Sequence, residues 1–125
     1  MIIDELILLL ETFKYDVVRQ GSYSDTSEYP DTFITYWNPA TPDHSYYDND
    51  NYGEEWNIDI YIYSTSIDTA YQLTAKIRKL LKANGWIVPS AGFDIDSDSQ
   101  AHTGRGLEVT YIDYNKEDEV NERYI

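Results

Sequence analysis

The chain of 125 residues has the length of one domain, and its hydrophobic share of 42% suits one core and is too high for a disordered chain. The 9 Lys and Arg against 23 Asp and Glu give a net charge of −14, which repels phosphate, so we expect no sequence-specific nucleic acid and no membrane as a partner. Without cysteine, the chain forms no disulfide, thiolate zinc site or cysteine nucleophile.

The N-terminal half predicts one helix followed by strands. Apolar residues at helical spacing predict a helix over residues 2 to 14. This apolar segment is not a signal peptide, because it has no basic leading region and Asp4 and Glu5 interrupt it. A short extended piece begins at residues 17 and 18, ahead of a strand over Thr32–Trp37. In Trp56–Tyr63, isoleucines alternate with polar residues, which predicts one buried sheet face and antiparallel neighbours.

The C-terminal half predicts the clearest helix, over residues 66 to 84, capped by Ser66 and ended by Gly85. Its apolar stripe consists of Ile67, Ala70, Tyr71, Leu73, Ile77, Leu80 and Leu81. Three further strands are predicted near Trp86–Val88, around Phe93–Asp98 and over Leu107–Tyr114.

This order of elements predicts an α+β fold, with an antiparallel or mixed sheet of four to five strands and two helices packed on one face. Residues 1 to 114 are expected to form a single domain. The charged C-terminal tail, residues 115 to 125, has little to bury, so it is either frayed or an arm that docks on a partner.

Two features of the sequence suit contacts between proteins. The loop over residues 38 to 55 is long for a compact domain and is rich in tyrosine, which offers a large contact area at low entropic cost. The end of the second helix is basic, which complements the helix dipole and also suits docking on an acidic partner, including another copy of this chain. The candidate interface residues are Tyr46, Tyr47, Tyr52, Lys76, Lys79, Lys82 and Arg105.

Catalytic and metal-binding motifs are incomplete. A calcium loop starting at Asp94 would need Gly and Glu where the chain has Ser99 and Arg105. His44 and His102 lie far apart in sequence, which gives no support to a metal site or a general base. We therefore predict neither enzymatic activity nor a cofactor or metal.

The glycine-rich segment Thr103–Gly106 lacks the lysine and the spacing of a phosphate-binding loop. Glycines on both sides of an arginine at the start of a strand more often mark a bulge or a tight turn, and we predict one here.

Several segments together resemble a family of phage proteins. These are YPDTFITYWNPATPDHSYYDN, WNIDIYIYSTS, the helix end LLKANGW and the strand TGRGLEVTYID. In pattern and order, over most of residues 10 to 114, the chain resembles the small tail-terminator or tail-completion (head–tail joining) proteins of long-tailed phages of Gram-positive bacteria. The family has no catalytic residues.

The resemblance implies an α+β protein that forms a ring, commonly a homohexamer, and caps the finished tail tube. The expected partners are other copies of the chain, the tail tube protein and the head-completion or connector protein. The expected location is the virion, after synthesis in the cytoplasm of the bacterial host.

Other functions remain open on the sequence alone. Within the same class, the protein could be a head–tail connector or a minor capsid component. From other classes, it could be a small enzyme or metal-binding module that uses His44, His102 and nearby aspartates, or an acidic mimic of DNA. The basic helix end interrupts the continuous acidic stripe that a DNA mimic needs.

Overall fold

Five strands form one mixed sheet in a computed structural model that describes residues 2–22, 29–40 and 54–113, without the side chains of residues 39 and 40. In chain order the elements are α1 (Ile2–Glu11), β1 (Asp16–Arg19), β2 (Thr32–Ala40), β3 (Glu54–Ser64), α2 (Ile67–Ala83), β4 (Phe93–Ile95) and β5 (Thr103–Asp113). The strand order in the sheet is β1-β2-β3-β5-β4. β1 runs parallel to β2, and the other neighbours are antiparallel. The predicted α+β class is therefore confirmed.

Both helices pack on the same face of this sheet. β3 contributes three isoleucines to that face, and each is at most 1% exposed. The neighbouring strands contribute Ile34, Leu107 and Val109, and the helices cover them with Leu6, Leu10, Leu73, Ile77 and Leu81. Burial of branched aliphatic side chains between two layers supplies the main driving force for the fold.

α1 is shorter than predicted and ends at Glu11. The Thr12 hydroxyl donates to the Leu9 carbonyl, and the backbone N–H groups of the next residues also bond three residues back. Lys14 then adopts a left-handed conformation with φ 69°, which turns the chain towards β1. The apolar spacing predicted the helix, whereas its end depends on this local turn.

α2 matches its prediction to within one residue at each end. The Ser66 side chain accepts a hydrogen bond from the Thr69 N–H, which satisfies one of the free donors of the first turn. Two members of the predicted apolar stripe are wrong, because Ile67 is 63% exposed and Tyr71 is 44% exposed. Thr74 is buried instead, with its hydroxyl bonded to the carbonyl of the preceding turn.

The predicted bulge or turn around Arg105 is wrong, since β5 runs in unbroken register with β3 from Thr103 onwards. Gly104 and Gly106 lie opposite Ile95 and Phe93 of β4. A Cβ at Gly104 would lie 2.7 Å from the Ile95 side chain, and one at Gly106 would lie 2.6 Å from the Phe93 ring. These glycines therefore make room for side chains that cross the face of β5 away from the helices.

Several strands differ in length from their predictions. The strand expected near Trp86–Val88 is a single bridge between Ile87 and Thr110, and β4 is shorter than predicted. β2 and β3 extend into the predicted loop, of which residues 41–53 lie outside the described part of the chain, as do residues 114–125. In the described part, no helix is long and apolar enough to cross a membrane.

Candidate protein-interaction site

The basic end of α2 borders an open cavity, here called the α2 groove, between that helix and the edge of the sheet at β4. The cavity has a volume of about 500 Å³. It is lined by Tyr71, Ala75, Arg78, Lys79, Lys82, Ala91 and Arg105. The structure thus brings together three of the candidate interface residues, Lys79, Lys82 and Arg105.

The direction of the lysines follows from helix geometry. α2 buries Ala70, Ile77 and Leu81, so its buried side is fixed. At about 100° per residue, Lys79 points roughly 180° away from that side, and Lys82 points roughly 120° away, towards the groove. Both lysines are exposed, and neither forms an ion pair with a described residue.

Arg105 forms the floor of the groove. It projects from the helix-facing side of β5, and its side chain is only 13% exposed. Its guanidinium lies over the Tyr71 ring, 4.4 Å from the ring centroid, and donates to the Asp94 carboxylate at 2.9 Å. The Tyr71 hydroxyl donates to the same carboxylate oxygen at 2.7 Å. This arrangement, the Tyr71–Asp94–Arg105 cluster, links α2, β4 and β5.

The cluster changes the acidity of its members. The hydrogen bond from Tyr71 lowers the pKa of Asp94 below its usual value, and Arg105 lowers it further. The same hydrogen bond raises the pKa of Tyr71. Asp94 is therefore ionised at neutral pH and balances Arg105, whereas Lys79 and Lys82 have no such counter-charge among the described residues.

The groove also contains donors with no partner. The Nε atoms of Arg78 and Arg105 are buried and have no hydrogen-bond partner among the described residues. Buried donors normally have a partner. A ligand that carries carboxylate oxygens would pair with the exposed Lys79 and Lys82 at the groove, whereas these Nε atoms are too buried to contact it.

The remaining candidate residues lie elsewhere. Lys76 is on the other flank of α2, beside Phe13 and Tyr15. Tyr46, Tyr47 and Tyr52 lie outside the described residues. Four groove members were not predicted from the sequence: Tyr71, Ala75, Arg78 and Ala91. Among them, only Arg78 had a sequence signal, because it belongs to the basic run of Lys76, Arg78, Lys79 and Lys82.

His102, considered above as a metal ligand or base, lies in an aromatic cluster on the sheet face that is opposite to the helices. Its ring packs against Phe33, which in turn stacks on Tyr63. Nε2 lies 2.7 Å from the Pro30 carbonyl, and Nδ1 lies 2.9 Å from the Ser99 hydroxyl. Because a carbonyl oxygen only accepts, Nε2 donates, and both ring nitrogens are occupied by structural hydrogen bonds.

No group of three or more His, Asp or Glu side chains in residues 2–22, 29–40 and 54–113 is arranged to hold a metal ion. The aspartates around residue 96 do not converge there, since Asp94 is turned towards Arg105. His44 lies outside the described residues.

None of the known family models matches this chain. No curated protein matches it either. The α2 groove, which the exposed Lys79 and Lys82 line together with Tyr71 and Arg105, is the strongest functional indication in the described residues.

Proposed function

We propose that the protein is a tail terminator of a long-tailed phage, which forms a ring of identical copies, caps the tail tube and joins it to the head connector. The observation that carries this proposal is the α2 groove. A chain with a net charge of −14 repels its own copies except where cations are exposed, as at Lys79 and Lys82, which form no ion pair with a described residue.

A groove of this kind supports a ring better than a symmetric dimer. In a two-fold dimer, the same patch meets itself, and two basic grooves would repel each other. A basic surface instead meets a different, acidic surface of the next copy, which is a head-to-tail contact. Contacts of that type close into rings with two unlike faces.

Two unlike faces suit the work of a terminator. A tail tube built of stacked rings always ends in a surface that could accept one more ring. A cap has to bind that surface on one face and present a different surface to the head. The net negative charge would also keep DNA from adhering as it passes through the ring.

Removal of the gene from the phage tests the proposal. We expect filled heads and separate tails, some of them abnormally long, because tube growth would have no stop and the head no attachment point. Electron microscopy of lysates gives the measurement, with the gene supplied from a plasmid as the control. Normal tails attached to heads would contradict the terminator function. Separate tails of normal length would favour a head–tail connector instead.

A further inference from the structure

The sheet face that is opposite to the helices carries a second charged patch, here called the acidic sheet face. It is defined by Trp37, Asp59, Tyr61, Phe93 and Glu108. Because Ile58 and Ile60 point towards the helices, the residues that alternate with them in β3 point the other way. The register sets Trp37 beside Asp59, and Asp59 beside Glu108.

Two carboxylates therefore lie side by side on the neighbouring strands β3 and β5. Residues directly opposite each other in an antiparallel pair have Cβ atoms about 5 Å apart, and like charges there destabilise the pair. Asp59 accepts a hydrogen bond of 3.3 Å from the Tyr61 hydroxyl, and Glu108 is exposed. Neither carboxylate forms an ion pair with a residue in the described part of the chain.

The surroundings of this pair are aromatic and accessible. Trp37 and Phe93 are each 38% exposed. Arg19 lies over Trp37, with its guanidinium carbon 5.3 Å from the ring centroid, and it forms an ion pair with neither carboxylate. Burial and the charges of Asp59 and Glu108 raise the pKa of Tyr61, so this hydroxyl stays protonated as a donor. Exposed aromatic rings of this kind are enriched at protein interfaces.

The two-layer fold sets this patch and the α2 groove on opposite sides of the molecule. α2 covers one face of the sheet, and Lys79 points away from it. The acidic sheet face is the other face of the same sheet. Among the described residues, one side of the molecule thus offers cations without an ion pair and the other offers carboxylates without one, so a second copy complements both.

We propose that the acidic sheet face of one copy binds to the α2 groove of the next copy. Asp59 and Glu108 of the first copy then pair with Lys79 and Lys82 of the second. This proposal rests on the proposed function, since the two surfaces are those through which neighbouring copies would meet in the ring. Trp37 and Phe93 supply apolar area at the rim of the charged centre. The like-charge pair persists, although it weakens the isolated chain, because the partner's lysines neutralise it in the ring.

Charge exchange between the two surfaces tests this contact. The helix variant is Lys79→Glu with Lys82→Glu, and the sheet variant is Asp59→Asn with Glu108→Lys. Each alone should weaken self-association at least about tenfold, because like charges then face each other. The four substitutions in one chain, or an equal mixture of the two variants, should restore association, because opposite charges meet again. Light scattering over a concentration series measures the assembled mass.

Two further measurements separate a lost contact from a lost fold. The exposed residues Lys14 and Glu11 give matched controls, Lys14→Glu and Glu11→Lys, which should associate as the wild type does. The sheet variant should melt at or above the wild-type temperature, because it removes the like-charge pair. A merely damaged strand would melt lower.

The possible failures are distinguishable. If the wild type associates and either variant associates as strongly, or the combined chain does not recover, the contact between sheet and groove is wrong while the ring stands. If the wild type remains monomeric at every concentration, the ring itself is contradicted, and the proposed function with it.

Discussion

Two glycines show how a single residue can be misread from sequence. Gly104 and Gly106 flank Arg105, a pattern that predicted a bulge or a turn. In the structure both are ordinary strand residues, and the reason for glycine is space beneath Phe93 and Ile95. That reason is a contact between two strands, so no local pattern could have revealed it.

Alanine at these two positions should have unequal effects. Gly104→Ala would press its methyl group against the Ile95 carbonyl oxygen, at 2.9 Å, as well as against its side chain. We expect a loss of about 1–3 kcal/mol in the free energy of unfolding, typical of overpacking. Gly106→Ala meets mainly the outer ring atoms of Phe93, which can turn aside, so it should lose less. Urea unfolding of the two variants gives the comparison, and an equal or reversed order would contradict this explanation.

At the scale of elements, the sequence predicted best where one element contains its own signals. α2 has its cap, its apolar stripe and its terminating glycine within one stretch, and its bounds were predicted almost to the residue. β4 and β1 are short edge strands, so their length depends on how many of their residues pair with the one neighbouring strand. The α2 groove was predicted only in part. Its lysines could be selected from the sequence, whereas Tyr71 and Ala91 line the groove only because the fold packs their segments together.

The Tyr71–Asp94–Arg105 cluster holds three elements together, and its contribution should depend on pH. The folded-state pKa of Asp94 is lowered, so its contribution is fully present above the unfolded pKa and is lost as pH falls through the folded pKa. Asp94→Asn should therefore lower the melting temperature at pH 7, and the difference from wild type should vanish in strong acid. Thermal unfolding from neutral to acid pH measures it, with exposed Asp96→Asn as the control. A difference that grows in acid would contradict the sign.

At the scale of the whole molecule, charge is distributed unevenly. The chain as a whole is strongly acidic, yet the outer side of α2 carries lysines that form no ion pair with a described residue. Composition and the basic run were readable from sequence. The pairing of Asp59 with Glu108 was not, because it depends on the register between β3 and β5.

Salt should therefore act in opposite directions on the single chain and on the assembly. Raising salt from about 0.05 to about 0.5 M screens the self-repulsion of the net charge, so the melting temperature of the monomer should rise. The same screening weakens a contact between opposite charges, so self-association should fall. Calorimetry on dilute protein and sedimentation on concentrated protein give the two readings. Association that strengthens with salt would indicate an apolar contact instead.

The position of β5 in the sheet affects how the chain folds during its synthesis on the ribosome. β5 lies between β3 and β4, although among the strands of the described residues it is the last to be synthesised. Until it emerges, β4 has no partner and β3 has one bare edge. At about 5–20 residues per second, the nascent chain waits some seconds between finishing β3 and finishing β5. During that time, its isoleucine-rich strand is open to chaperones and to aggregation.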